Sequence, residues 1–160
     1  MRLYADDTTA YASNTNITAL ELSLNQDLEK LSSWFASNHL TVNGKKTQAM
    51  ILGDSDQEPV LQIGDSPIEI NDSLNILGVH IDNKLSFKDH ISAILKKVYA
   101  KTPSSETTKK LVPAAVALML YKAYILPHLE YCSPLLLGIN KSLNNKLESA
   151  NCYALKALFR

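Results

Sequence analysis

The chain has 160 residues, 46% of them hydrophobic, enough for one modest globular unit or two small subdomains with a core. Its sixteen basic and sixteen acidic side chains cancel, which by itself argues against a nucleic-acid binder. Two cysteines, Cys132 and Cys152, match no zinc spacing and read as reduced thiols of an intracellular protein; no charged leader with an apolar core marks a secreted one.

The zero sum hides an asymmetry. Residues 1–83 carry 4 Lys/Arg against 12 Asp/Glu, a net of −8, and residues 84–160 carry 12 against 4, a net of +8. An acidic half can hold divalent metal and a basic half can follow phosphates; the other reading is two solvated faces that differ in sign.

The first predicted element is a β-hairpin. Leu3-Tyr4-Ala5 and Thr8-Thr9-Ala10-Tyr11 favour strands, with Asp6-Asp7 as the turn between them. Alternation along a strand sends the two carboxylates to opposite sides, one to hold metal and its neighbour to brace the site. Polar Asn14-Thr15-Asn16 then offers a cap for a helix running to about His39. Leu20, Leu24, Leu28, Leu31 and Phe35 make its apolar stripe, widened by Trp34, with Glu21, Asp27, Glu29 and Lys30 off it. This helix is expected to pack under the sheet that carries Asp6 and Asp7.

Strands are expected at Leu40-Thr41-Val42 and Gln48 to Leu52, with a turn signal at Asn43-Gly44. Asp54 to Pro59 reads as a flexible loop. Val60 to Ile63 and Ile68 to Ile70 flank Gly64-Asp65-Ser66-Pro67 as a hairpin, and Leu74 to Ile81 reads as one strand in which Gly78 permits close backbone approach. From Ser86 the period becomes helical, with Phe87, Ile91, Ile94, Leu95 and Val98 on one stripe and Lys88, Lys96, Lys97 and Lys101 largely off it. Pro103 and the surrounding Ser/Thr residues break that helix. Pro113 suits the first turn of the next one, whose Val116 to Ile125 is apolar on most sides and so expected at the centre of a helical subdomain. The apolar run from Leu111 to Leu126 is short for a membrane span and contains Lys122. A last helix covers roughly Ser142 to Phe159. His39, His80, His90 and His128 are scattered, and structural or surface roles are expected for each.

Four segments in order carry a resemblance: Tyr4-Ala5-Asp6-Asp7; Trp34 to Thr47 with Asn38, Leu40, Asn43, Lys46 and Thr47; Leu77-Gly78-Val79-His80-Ile81-Asp82; and Leu129-Glu130-Tyr131. Together they resemble the reverse transcriptase of jockey-like non-LTR retrotransposons over essentially the whole chain. The resemblance implies an α+β fold: the C-terminal part of a polymerase palm over residues 1–83, followed by an α-helical thumb over 84–160. It implies metal ligation by Asp6 first and Asp7 second, and a place for Tyr4 near the primer–template end. Tyr4 also reads as a strand aromatic packed on the helix below. Lys46 matches a lysine that neutralises or protonates departing pyrophosphate, although Lys45 beside it shares the assignment and a solvated turn lysine is the plainer reading. Leu77, Gly78 and Val79 resemble the primer grip, and thumb lysines would contact duplex phosphates without reading sequence.

The implied partners are an RNA template with its DNA primer, and a deoxynucleoside triphosphate. The implied cofactor is Mg²⁺, two ions roughly 3.5–4 Å apart, activating the attacking oxygen and neutralising the leaving group. The family's further metal-binding aspartate and template-positioning loop lie upstream of the hairpin, where only Met1, Arg2 and Leu3 stand. The chain is therefore expected to be a fragment of an RNA-directed DNA polymerase, inert alone. In the family a basic stretch usually occupies the region of Thr102–Lys110; here it reads Thr102-Pro103-Ser104-Ser105-Glu106-Thr107-Thr108, which weakens the expected duplex grip. Two other readings stand beside it: a non-catalytic nucleic-acid-binding remnant, or a structural protein whose hairpin is a mere turn.

Overall fold

The computed structural model describes residues 1–5, 7–53, 57–103 and 113–159. It is an α+β chain that divides into two compact units, Met1–Leu74 and Asn75–Arg160. The division precedes the strand that ends at Asp82, whereas the sequence reading puts that strand with the first half.

In the first unit, β1 (Arg2–Tyr4) and β2 (Asp7–Thr9) form an antiparallel hairpin. Helix α1 (Ile17–Ser37) follows, its Asn16 side chain accepting from the Ala19 amide. A 3₁₀ turn, Gly44–Lys46, leads into β3 (Gln48–Ala49). Then come β4 (Gln62–Ile63), β5 (Ser66–Pro67) and β6 (Glu69–Ile70). β4 and β5 form a hairpin turned on Gly64-Asp65 with Gly64 at φ 56, so Ser66-Pro67, expected in the turn, is its second strand, and β6, which holds the end of the strand expected there, pairs in parallel with β3. Leu40-Thr41-Val42 is irregular instead of a strand, and only Gln48–Ala49 of the second expected strand joins a ladder.

The expected partner of α1 needs correction. Its core lies against β4 and the residues after it: Leu61, Ile63 and Ile68 are buried, with Leu24, Leu28, Val42 and Ala49 around them. No residue of β1 or β2 belongs to that cluster. The reason is polar as well as apolar. Glu21 and Asn25, one turn apart, point at the backbone leading into β4: the Val60 amide donates to Glu21 Oε2 (2.9 Å), Asn25 Nδ2 donates to the Val60 carbonyl (2.8 Å), and the Gln62 amide donates to Asn25 Oδ1 (3.1 Å). The helix thus satisfies backbone groups that a two-residue strand leaves open. Glu21, read from the sequence as lying off the stripe, is part of the packing face.

The second unit opens with β7 (Ser73–Ile76), which crosses the division, and β8 (Val79–Asp82). The single strand expected from Leu74 to Ile81 is therefore a hairpin, because Leu77 and Gly78 adopt φ 51 and 83 and reverse the chain. Helix α2 (Lys88–Lys101) ends as expected before Pro103. Helix α3 (Ala114–Leu120) starts just after Pro113 and passes through a π-helical segment, Tyr121–Ile125, into α4 (Leu126–Glu130). Pro127 has no amide to donate one turn back, and the wider bond from the Leu126 amide to the Tyr121 carbonyl takes over. A 3₁₀ turn, Ser133–Leu136, precedes α5 (Lys141–Phe159).

The core of this unit joins Ile94 and Val98 of α2, Tyr121 and Ile125, Leu136, and Ala150 and Ala154 of α5. The two alanines, four apart on α5, are fully buried and let the helices approach closely. The segment carrying Val116 to Ile125 is not apolar-buried on most sides: Ala117, Tyr121 and Ile125 face the core, while Leu118, Met119 and Tyr124 are exposed. Among the described residues no helix is long and apolar enough to cross a membrane. Cys132 and Cys152 are both free.

Candidate functional site

The β1–β2 hairpin sets Tyr4 directly opposite Asp7, with Leu3 opposite Thr8 and Arg2 opposite Thr9. Residues opposite each other share a face, so the Tyr4 ring and the Asp7 carboxylate stand together, with Arg2 two residues along. Asp7 is a strand residue and not, as expected, part of the turn; Ala5, at φ 52, carries the reversal beside it. A non-glycine residue there costs roughly 1–2 kcal/mol. Asp6, the first expected metal ligand, lies outside the described residues. Tyr4 is 68% exposed, which removes the reading of it as an aromatic packed on the helix.

Asp7 is exposed, and its carboxylate makes no hydrogen bond or ion pair among the described residues. Such a group is a hard oxygen donor of the type Mg²⁺ takes, usually one or two carboxylates with water and substrate phosphates completing the shell. Among the described residues no three His, Cys, Asp or Glu side chains converge on one point.

Lys45 and Lys46 sit in the 3₁₀ turn after Asn43, both exposed and without an ion pair among the described residues, so they remain equivalent. The turn is tightly held. Thr47 donates through both its amide and its hydroxyl to the Asn43 carbonyl. At Gly44 a Cβ would fall 2.5 Å from Ser66 Cβ, so the glycine is needed for the turn to lie against β5.

Leu77-Gly78-Val79 forms the reversal between β7 and β8. Gly78 is required by its φ and not by crowding, since its nearest neighbour would be Tyr131 Cε1 at 4.0 Å. The Tyr131 hydroxyl donates a short hydrogen bond to the Leu77 carbonyl, 54 residues away in sequence. Leu77 is partly exposed at the tip, and Val79 is 4% exposed and buried beneath it. Two of the four resemblance segments, Leu77–Asp82 and Leu129-Glu130-Tyr131, are thereby joined in one contact.

Asp82 closes the same segment onto α2. Its Oδ1 accepts from the Lys84 and Ser86 amides, and its Oδ2 from the Ser86 hydroxyl and the Phe87 amide, at 2.9–3.1 Å. Phe87, at φ 55, offers no cap of its own, so Asp82 secures the entry to the helix. Partial burial pushes the Asp82 carboxyl up, but the bonds from Ser86, Phe87 and Lys84 outweigh it and hold it below the usual 3.8.

The helical unit carries most of the exposed cations among the described residues. An open groove of about 740 Å³ is lined by Leu95 and Tyr99 of α2 and by Lys141, Ser142, Asn145, Lys146 and Ser149 of α5. Tyr99 and Tyr153 meet edge to face in this unit, centroids 5.4 Å apart, with both rings partly exposed. Elsewhere on α2, Lys101 Nζ lies 2.7 Å from His128 Nε2. His128 is held below its usual 6.5 by burial first, then by the positive charges of Lys101 and Lys97.

The chain also contains a buried imidazole that composition does not reveal. His90 is 3% exposed, its Nδ1 lies 3.5 Å from the His80 amide, and its Nε2 has no hydrogen-bond partner among the described residues. Burial, then the charges of His80 and Lys97, holds it below 6.5. Its position, three residues after Phe87 and four before Ile94, is the signal that could have placed it on the apolar stripe. No family model, curated protein or solved structure matches this chain.

Proposed function

We propose that the chain is the carboxylate hairpin and thumb part of an RNA-directed DNA polymerase of the non-LTR retrotransposon kind. In this reading Met1–Leu74 belongs to the palm and the helical unit to the thumb. The observation that supports it most is the hairpin itself: a Tyr-Ala-Asp-Asp segment whose tyrosine and second aspartate share one exposed face, with that carboxylate free of any protein partner among the described residues.

Asp6 and Asp7 would hold Mg²⁺, which when bound supplies charge stabilisation to the attacking and leaving oxygens. The chain's own residues orient. Tyr4 stands where it can pack against the end of a primer–template. The Leu77–Gly78 turn, held by Tyr131, supports the primer strand. A lysine of the Gly44–Lys46 turn, Lys45 or Lys46, is available to meet developing negative charge. One wall of carboxylates does not hold reacting groups in near-attack geometry, so the chain alone is expected to be inert.

Mn²⁺ serves as a paramagnetic probe of this reading. Amide signals of Tyr4, Asp7 and Thr8 are expected to broaden in wild type and not in the Asp6→Asn, Asp7→Asn double variant. Unselective broadening, or none, would remove the metal role. Robust primer extension by the chain alone would overturn its inertness.

A second reading, a nucleic-acid-binding remnant without catalysis, is favoured by the groove bearing Lys141 and Lys146. It predicts salt-sensitive duplex binding that survives both aspartate substitutions with no metal dependence.

A further inference from the structure

The contact between Lys101 and His128 is unusual in its chemistry. An ammonium can only donate, so His128 Nε2 must accept and the imidazole must be neutral while the contact persists. Lys97, one turn earlier on α2, adds a second positive charge that His128 feels. Among the described residues neither lysine has an acidic partner.

Lysines in the last turn of a helix often serve its free carbonyls, but here the work is done by another residue. The Thr102 amide and hydroxyl both reach the Val98 carbonyl, the hydroxyl at 2.7 Å. What is left is Lys101 against a partly buried imidazole on α4, with Lys97 four residues before it on α2 and neither lysine in an ion pair among the described residues. Two ammonium groups and, once protonated, the ring Nε2 make a donor set for a tetrahedral oxyanion.

We propose that Lys97, Lys101 and His128 form a phosphate-binding site that takes one backbone phosphate of a nucleic acid. The identity of the occupant rests on the nucleic-acid reading above; the oxyanion chemistry does not. An arriving phosphate accepts from Lys97 and Lys101, draws Lys101 off the imidazole, and favours a proton on Nε2, which then donates to a third oxygen. Binding therefore takes up a proton at His128. From α2 the charges that act on this ring are Lys101 and Lys97, and Glu130 lies on its own helix.

The test is an NMR titration of the His128 ring between about pH 5 and 8. It is run on the whole chain, alone, with inorganic phosphate, and with a short RNA–DNA hybrid of mixed sequence. The hybrid is expected to raise the His128 midpoint by roughly one unit, and its affinity to rise about tenfold across that proton uptake. Lys97→Gln with Lys101→Gln is expected to abolish the hybrid-induced shift. Lys141→Gln, on α5, is expected to leave it in place. A shift with inorganic phosphate but not with the hybrid overturns the nucleic-acid occupant. No shift with either ligand, or equal loss in Lys141→Gln, overturns the site. Mn²⁺ broadening at the Asp7 hairpin is read from other residues, so failure of one reading does not mimic failure of the other.

Discussion

Asp82 organises the entry to α2. It accepts four hydrogen bonds where β8 turns into α2, from Lys84, Phe87 and twice from Ser86. Asp82→Ala is expected to cost about 2 kcal/mol, read as a lower urea midpoint of the helical unit, while Asp82→Asn, which keeps the shape, costs less. Because the folded carboxyl is held below its ordinary value, its contribution is complete above about pH 3.8 and is lost as pH falls through the folded value. His90 acts in the same direction at milder acidity. Its folded form binds a proton less readily than the ordinary 6.5, so the unfolded chain takes up protons first and stability falls as pH drops below that value. Replacing it in His90→Leu removes the orphaned Nε2 and is expected to flatten stability between about pH 7 and 5, measured by urea unfolding at each pH. A variant as acid-sensitive as wild type would place that dependence elsewhere, His128 being the next candidate.

At the scale of elements, each unit by itself carries a tight reversal among its candidate residues. The β1–β2 and β7–β8 hairpins both contain a non-glycine residue at positive φ, Ala5 and Leu77. Such backbone is held only where its surroundings over-determine it. For Leu77 the surroundings are visible: the Tyr131 hydroxyl bonds its carbonyl. Tyr131→Phe is expected to cost about 1 kcal/mol and to quicken hydrogen exchange at Gly78 and Val79. The Gly44–Lys46 turn makes the opposite demand, since a methyl group at Gly44 would strike Ser66. Gly44→Ala is expected to destabilise the first unit by about 1–3 kcal/mol and to shift the amide signals of Lys45, Lys46 and Ser66. Unchanged signals would show that the turn does not need its approach to β5.

Across the whole molecule, charge nearly follows the core: residues 1–74 carry 4 Lys/Arg against 11 Asp/Glu and residues 75–160 carry 12 against 5, and each unit has its own cluster of buried side chains. The first unit's cluster is small, and Leu3, Tyr4, Tyr11, Leu22, Trp34 and Leu40 are exposed in it. Two cores of unequal size predict unfolding that departs from a single transition, with probes in the first unit melting earlier. Nucleic-acid binding through the helical unit is expected to weaken with salt. If three phosphates are neutralised, the logarithmic slope is about −2.7, and coincident loss of slope in the Lys97→Gln, Lys101→Gln variant would tie it to α2.

By itself the sequence determined the helices and the Gly64-Asp65 reversal, but not the one at Leu77-Gly78, which lies inside an apolar run that reads as one strand. Helical stripes and capping residues are local: Asn16 before α1, Pro113 before α3, and Leu143 through Leu158 on α5 all lie where the chain's own periodicity puts them. Gly64-Asp65 likewise marks its hairpin through backbone preference alone. Only the tertiary structure decided what those elements touch. That Glu21 and Asn25 serve the backbone around β4, that Tyr131 closes on Leu77, and that Lys101 meets His128 are contacts between residues far apart in the chain. No periodicity encodes them, because a side chain's partner is set by which backbone groups folding leaves unsatisfied and which charges it leaves unpaired.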